Sequence, residues 1–72
     1  MGNFNLRRDP KPGESRDTTI CNAIARAKHL DAKIDSYFEK DGVRVDFTVS
    51  PDSKMKDVIN DHFSSVKLSN TL

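Results

Sequence analysis

The 72-residue sequence has no tryptophan, only one cysteine, and three residues each of glycine and proline. Because Cys21 has no second cysteine with which to pair, an intrachain disulfide is excluded. No apolar run approaches the ~20 residues that a membrane-spanning helix requires. The single thiol and the lack of a recognisable signal peptide indicate a reducing compartment. We therefore expect one small domain in the cytoplasm.

Charges of both signs are nearly balanced, with a net charge of +1, but they are unevenly distributed. Residues 1–33 contain seven Lys or Arg and four Asp or Glu, whereas residues 34–72 contain five and seven. Such a dipole can orient self-association or attract one end of the chain to an anionic surface.

The segment 32–50 has the pattern of a β-hairpin with Asp41-Gly42 as its two-residue loop. This dipeptide favours the tight turn whose twist suits antiparallel strands. The predicted opposed pairs are Lys40 with Val43, Glu39 with Arg44, Phe38 with Val45, Tyr37 with Asp46, Ser36 with Phe47, Asp35 with Thr48 and Ile34 with Val49. This register gives one mainly apolar face and one polar face, and a shift by one residue would mix them.

A first helix is predicted before the hairpin, with Asp17, Thr18 or Thr19 as its N-cap. Its apolar stripe consists of Ile20, Ala23, Ile24, Ala27 and Leu30. A continuous helix through Ile34 and Phe38 is the competing interpretation, because both residues fit the same period. That helix would project Asp31 from its apolar stripe, so we predict that it ends near Leu30.

A second helix is predicted after the hairpin. Ser50 suits the N-cap, Pro51 the first helical position and Asp52 the positive end of the helix dipole. The apolar positions of this helix, which extends to about Ser64, are Met55, Val58, Ile59 and Phe63, and Val66 and Leu68 add a last contact.

These elements predict an α+β fold, a small α-β-β-α domain in which two helices pack on an antiparallel hairpin. Residues 1–16 are predicted to be a flexible N-terminal arm, residues 17–68 the single domain and residues 69–72 a polar C-terminal end. Pro10, Pro12 and Gly13 exclude regular structure in much of the arm. We expect the arm to contribute to binding rather than folding, so that deletion of residues 1–14 leaves the melting temperature nearly unchanged.

No catalytic or metal-binding motif is present. Cys21 could act as a nucleophile only with a nearby base and an environment that lowers its pKa. It follows Ile20 in the predicted helix, so we interpret it as a small, semi-buried packing residue. His29 and His62 lack the ligand spacing of a zinc site. The sequence therefore predicts a protein that is not an enzyme, with no catalytic residue, no metal and no cofactor.

The predicted function is binding to a macromolecular partner, as an inhibitor or adaptor of the kind that phages and other mobile elements encode. The candidate residues on the arm and basic face are Phe4, Leu6, Arg7, Arg8, Arg26, His29 and Lys33. Those on the edge-strand face are Tyr37, Arg44 and Asp46. Because both strands of a two-stranded sheet are open edges, we also expect a homodimer.

The alternative is a small DNA- or RNA-binding regulator that uses a basic footprint on the arm and first helix. Its members are Arg7, Arg8, Lys11, Arg16, Arg26, Lys28, His29 and Lys33. Acidic residues interrupt this footprint, and Tyr37 alone does not form a stacking platform for bases.

Overall fold

The computed structural model describes residues 5–64, which form a mixed α+β domain and confirm the predicted fold class. The elements in chain order are β1 Leu6–Arg7, α1 Arg16–Leu30, β2 Ile34–Lys40, β3 Val43–Val49 and α2 Met55–Val58, which continues as a π-helical turn, Ile59–Phe63. The three strands form one sheet in the order β1-β2-β3.

The β2–β3 hairpin has the predicted register at all seven opposed pairs, from Lys40 and Val43 at the tip to Ile34 and Val49 at the base. Asp41 and Gly42 both have positive φ, 54° and 80°. A type I′ turn requires positive φ at both central residues, and Asp-Gly is among its preferred sequences. The turn chemistry and the alternating pattern therefore specify the same pairing.

Helix α1 ends where the sequence predicts but begins earlier than expected. Its N-cap is Ser15, whose hydroxyl accepts a hydrogen bond from the Thr18 backbone N–H, so the prediction of Asp17, Thr18 or Thr19 is wrong. At the other end Asp31 adopts a left-handed conformation (φ 50°), and its N–H donates to the Ala27 carbonyl. Asp tolerates this conformation better than most side chains, so it ends the helix without entering the core.

Residues 5–15 belong to the sheet and its border, which corrects the prediction of a separate flexible arm. Strand β1 pairs in parallel with β2, Leu6 opposite Ile34 and Arg7 opposite Asp35. The Leu6 N–H donates to the Lys33 carbonyl at 3.1 Å and the Arg8 N–H to the Asp35 carbonyl at 2.9 Å. Strand β2 is thus central, and one of the two open edges predicted for the hairpin is occupied.

The predicted start of the second helix is also wrong. A turn lies at that position instead, in which the Ser53 N–H donates to the Ser50 carbonyl and the Ser50 N–H donates to the Ser53 hydroxyl. Helix α2 begins only at Met55, and its N-cap, Lys54, makes no side-chain capping bond. Ser50 and Ser53 bond each other, so neither hydroxyl is used as a helix cap.

One apolar core lies between the helices and a single face of the sheet. Its buried residues are Ile20, Ala23, Ile24, Ala27, Ile34, Phe38, Val45, Phe47, Val49, Val58 and Phe63, with Met55 and Ile59 packed at its border. Leu30, predicted to be in the apolar stripe, is 41% exposed because it lies at the last position of α1. The Ser36 hydroxyl is buried in this face without a hydrogen-bond partner among the described residues. Val66, Leu68 and residues 69–72 lie outside the described part of the chain.

Candidate functional site

A part-buried ion pair closes the segment between β1 and helix α1. The Arg8 guanidinium donates to both carboxylate oxygens of Glu14, at 3.0 and 2.8 Å. The two side chains are only 10% and 6% exposed. The Thr19 hydroxyl and the Asn22 amide also donate to this carboxylate, at 2.9 and 3.3 Å. Arg8, Thr19 and Asn22 therefore all donate to the Glu14 carboxylate.

The environment of Glu14 stabilises its ionised form. The hydrogen bonds from Arg8 lower the pKa of the carboxyl group from 4.5 to about 2, with further lowering by Thr19, the Arg8 charge and Asn22, although burial acts in the opposite direction. A carboxylate held in this way fixes the Arg8 side chain in place. Arg8 is thus held by Glu14, and its predicted role in partner binding stays a prediction.

A basic cleft lies beside this pair, between the segment after β1 and the exposed side of α1. It has a volume of ≈ 550 Å³ and is lined by Arg8, Lys11, Asn22, Ala25, Arg26 and His29. Within residues 5–64, the salt bridges involve none of Lys11, Arg26 and His29. Because Glu14 neutralises Arg8, the available positive charge of the cleft comes from Lys11 and Arg26.

The opposite side of the sheet carries a polar face, which borders His62 of the π-helical turn in a cavity shared with Asp46 and Thr48. Arg44 lies over the Tyr37 ring with its guanidinium carbon 3.9 Å from the ring centroid, and Arg7 approaches the same ring at 5.6 Å. Arg44 also pairs with Asp46 at 3.0 Å, and Arg7 with Asp9 at 2.9 Å. The structure thus brings Tyr37, Arg44 and Asp46 together, as their register positions predict.

Asp35 connects β2 to β3 and to the residue before β1 on this polar face. Its carboxylate accepts hydrogen bonds from the Thr48 hydroxyl at 2.6 Å and from the Asn5 amide at 3.0 Å. Because Arg7 and Arg44 each have their own acidic neighbour, the remaining carboxylates of Asp35 and Glu39 give this face a negative balance. The basic cleft and the polar sheet face therefore differ in sign.

The other predicted site residues are separated from one another. Leu6 is 39% exposed on β1, and Lys33 is an exposed residue whose carbonyl receives the Leu6 N–H. Phe4 lies outside the described residues. The predicted arm-and-basic-face set is thus divided between the sheet side, where Arg7 lies, and the cleft, where Arg26 and His29 lie.

Cys21 is exposed on α1, so its interpretation as a packing residue is wrong. His29 lines the basic cleft, whereas His62 lies against Phe47 on the far side, with ring centroids 6.3 Å apart. In the part of the chain that the structure describes, no group of three or more His, Cys, Asp or Glu side chains has a geometry that could hold a metal ion.

The sequence identified Lys11, Arg26 and His29 as members of a basic footprint but did not indicate that they share a cleft. The missing information is the position of residues 8–14 against α1, which depends on the part-buried Arg8–Glu14 pair. The available signal for a closed turn was the spacing of Arg8 and Glu14, which have opposite charges and lie six positions apart. Pro10, Pro12 and Gly13 lie between them.

No protein family model matches the chain, and no curated protein or solved structure shows significant similarity to it. Among residues 5–64, every helix is too short or too polar to cross a lipid bilayer.

Proposed function

We propose that this chain is a small non-enzymatic binding protein, an inhibitor or adaptor, that docks its basic cleft on an acidic surface of a protein partner. The cleft carries the proposal, because Lys11, Arg26 and His29 line one concave surface and form no ion pair within residues 5–64. Cationic groups in a concave surface attract and orient an acidic partner. The exposed free thiol of Cys21 is compatible with a reducing cytoplasm as the site of action.

A protein surface fits this cleft better than a nucleic acid does. A nucleic-acid complex depends on many phosphate contacts, and the cleft offers only three side chains for them. Of the other members of the basic footprint, Arg8 pairs with Glu14, Arg16 lies over the Phe63 ring, and Arg7 pairs with Asp9. The last two members, Lys28 and Lys33, do not line the cleft. The negative sheet face would also repel a second segment of a nucleic acid.

The proposal is tested by affinity capture from a nuclease-treated lysate of the source organism, followed by reconstitution with the purified partner. We expect the double variant Lys11→Glu/Arg26→Glu to lose the partner that the unmodified chain retains, because it reverses the charge of the cleft. Reconstituted binding should weaken with increasing salt, as electrostatic association does.

Lys56→Glu/Lys54→Glu is the matched control, since it reverses two exposed charges on and beside α2, away from the cleft. Capture that survives reversal in the cleft would contradict the proposal. Capture that nuclease abolishes, together with retention on single-stranded or duplex nucleic acid by the cleft cations, would replace it with the nucleic-acid alternative.

A further inference from the structure

The free edge of the sheet belongs to β3. Strand order β1-β2-β3 leaves β2 paired on both sides, so within residues 5–64 the outer side of β3 has no neighbouring strand. An unpaired strand edge offers a row of backbone donors and acceptors to another strand. The register of the hairpin determines which residues supply that row.

Arg44, Asp46 and Thr48 direct their backbone groups outward. The Asp35 carbonyl accepts from Arg8 and so points toward β1, away from β3. Because Asp35 is opposite Thr48, this pair is a non-hydrogen-bonded pair of the antiparallel ladder, and the backbone groups of Thr48 point away from β2. Alternation along the strand gives Asp46 and Arg44 the same direction.

We propose that β3 pairs with β3 of a second copy of this chain, antiparallel and centred on Val45, so that two three-stranded sheets form one continuous sheet. In this register Arg44 is opposite Asp46 of the second copy, and Asp46 is opposite its Arg44. Both are hydrogen-bonded positions, so about four backbone hydrogen bonds connect the chains. The two-fold axis passes between the Val45 residues.

Charge complementarity selects the second copy as the occupant and Val45 as the centre. Opposite charges directly across an antiparallel pair are favourable, and like charges are unfavourable. The Val45-centred pairing sets each arginine against an aspartate, and the intrachain Arg44–Asp46 pair already places these groups 3.0 Å apart on the same edge. Four charges of alternating sign therefore meet in the interface.

A register centred on Asp46 is the main competitor. It would add backbone pairing at Thr48, but it places the two Asp46 carboxylates directly opposite each other, which costs stability. The Val45-centred register also brings Val43, a 43% exposed apolar residue at the hairpin tip, opposite Phe47 of the second copy. The exposed valine then gains an apolar neighbour.

Sedimentation equilibrium at micromolar concentration tests the proposal. We expect a dimer mass for the unmodified chain and a dissociation constant at least about tenfold higher for Arg44→Asp or Asp46→Arg alone, since each variant creates two like-charge pairs. The double variant Arg44→Asp/Asp46→Arg restores both pairs and should recover most of the affinity. Glu39→Arg is the matched control for Asp46→Arg, because it makes the same charge change on the same face but on β2.

Asp46→Asn distinguishes the two registers. It should weaken the Val45-centred dimer a few-fold because it removes two attractive pairs, whereas it would strengthen a dimer centred on Asp46 by removing a repulsion. Cross-strand amide contacts within the hairpin, measured by NMR, verify that each variant keeps its fold.

Three outcomes would overturn the proposal. The first is a strictly monomeric mass, and the second is tighter association of Asp46→Asn. The third is a monomer that dimerises only after deletion of residues 65–72, which would assign the edge to that segment of the same chain. None of them involves Lys11, Arg26 or His29, so failure of the dimer leaves the proposed function of the cleft to its own test.

Discussion

The β2–β3 hairpin and the N-terminal segment lie in the same sheet, but different kinds of interaction hold them there. The hairpin is continuous from Ile34 to Val49, and its turn residues already have the backbone conformation that its register needs. The N-terminal segment contacts β2 although the whole of α1 lies between them in the sequence. One such contact joins Asn5 and Asp35, which are 30 residues apart. Its two-residue strand needs a further anchor, which the part-buried Arg8–Glu14 pair supplies.

The stability of the hairpin thus arises from local turn chemistry, whereas that of the N-terminal segment depends on one ion pair. Breaking a buried ion pair by removing one partner leaves an uncompensated charge, which is far more costly than losing an exposed pair. The N-terminal segment should therefore be the more fragile of the two regions. Deletion of residues 1–14 should lower the melting temperature, contrary to the expectation for a free arm, because it removes the pairing of β1 with β2 and the carboxylate that accepts hydrogen bonds from Thr19 and Asn22.

The largest effect is expected at Glu14. Glu14→Gln keeps the size of the side chain but leaves Arg8, 10% exposed, without its counter-charge. We expect the free energy of unfolding to fall by about 3 kcal/mol, measured by urea denaturation. The matched control is Asp9→Asn, which removes the exposed Arg7–Asp9 pair and should cost less than about 0.5 kcal/mol. Equal costs for the two variants would contradict the comparison.

The same carboxylate should make the fold sensitive to acid. The folded-state pKa of Glu14 is about 2, below its ordinary value of 4.5, so its stabilisation is complete above 4.5 and is lost as the pH falls from 4.5 toward 2. The loss amounts to at most about 3–4 kcal/mol, since one pKa unit corresponds to about 1.4 kcal/mol. Unfolding free energies measured across this range should fall less steeply for Glu14→Gln than for the unmodified chain. Parallel curves would contradict the assignment.

The predictions from the sequence are confirmed where the determining residues are neighbours along the chain. Asp41-Gly42 and the alternation around it specify the hairpin, and Asp31 correctly ends α1. The wrong predictions concern polar residues for which several hydrogen-bond partners were available. Ser15 caps α1 instead of Asp17, Thr18 or Thr19, and Ser50 bonds Ser53 instead of capping a helix.

Strand β1 and the basic cleft could not be predicted from residues that are neighbours along the chain. β1 has only two residues, too few for a periodic pattern, and its partner strand lies beyond α1. The cleft forms because Glu14 holds Arg8 against α1, a contact whose favourable energy depends on burial that the sequence does not display.

The hairpin can be disrupted at its turn. Gly42 has a φ of 80° with open space where a Cβ would lie, so a substitution there costs conformational energy without a steric clash. Gly42→Val should destabilise the domain by about 1–2 kcal/mol, because a β-branched side chain disfavours positive φ. Gly42→Asn, which tolerates this conformation, should cost less. Urea denaturation gives both values, and a cost for valine no greater than that for asparagine would contradict the turn assignment.

The smallest effect is expected where the two regions meet, at the Tyr37 ring. Arg44 of the hairpin lies 3.9 Å from the ring centroid and Arg7 of the N-terminal segment lies 5.6 Å from it. At exposed sites such a cation–π contact contributes about 0.5–1 kcal/mol and weakens with distance. Double-mutant cycles with Tyr37→Leu should therefore give a coupling of about 0.5 kcal/mol with Arg44→Ala and a smaller one with Arg7→Ala. The hairpin arginine is the closer of the two because its register holds it diagonally across from Tyr37. A larger coupling for Arg7 would mean that the N-terminal strand, rather than the hairpin, orders the polar face.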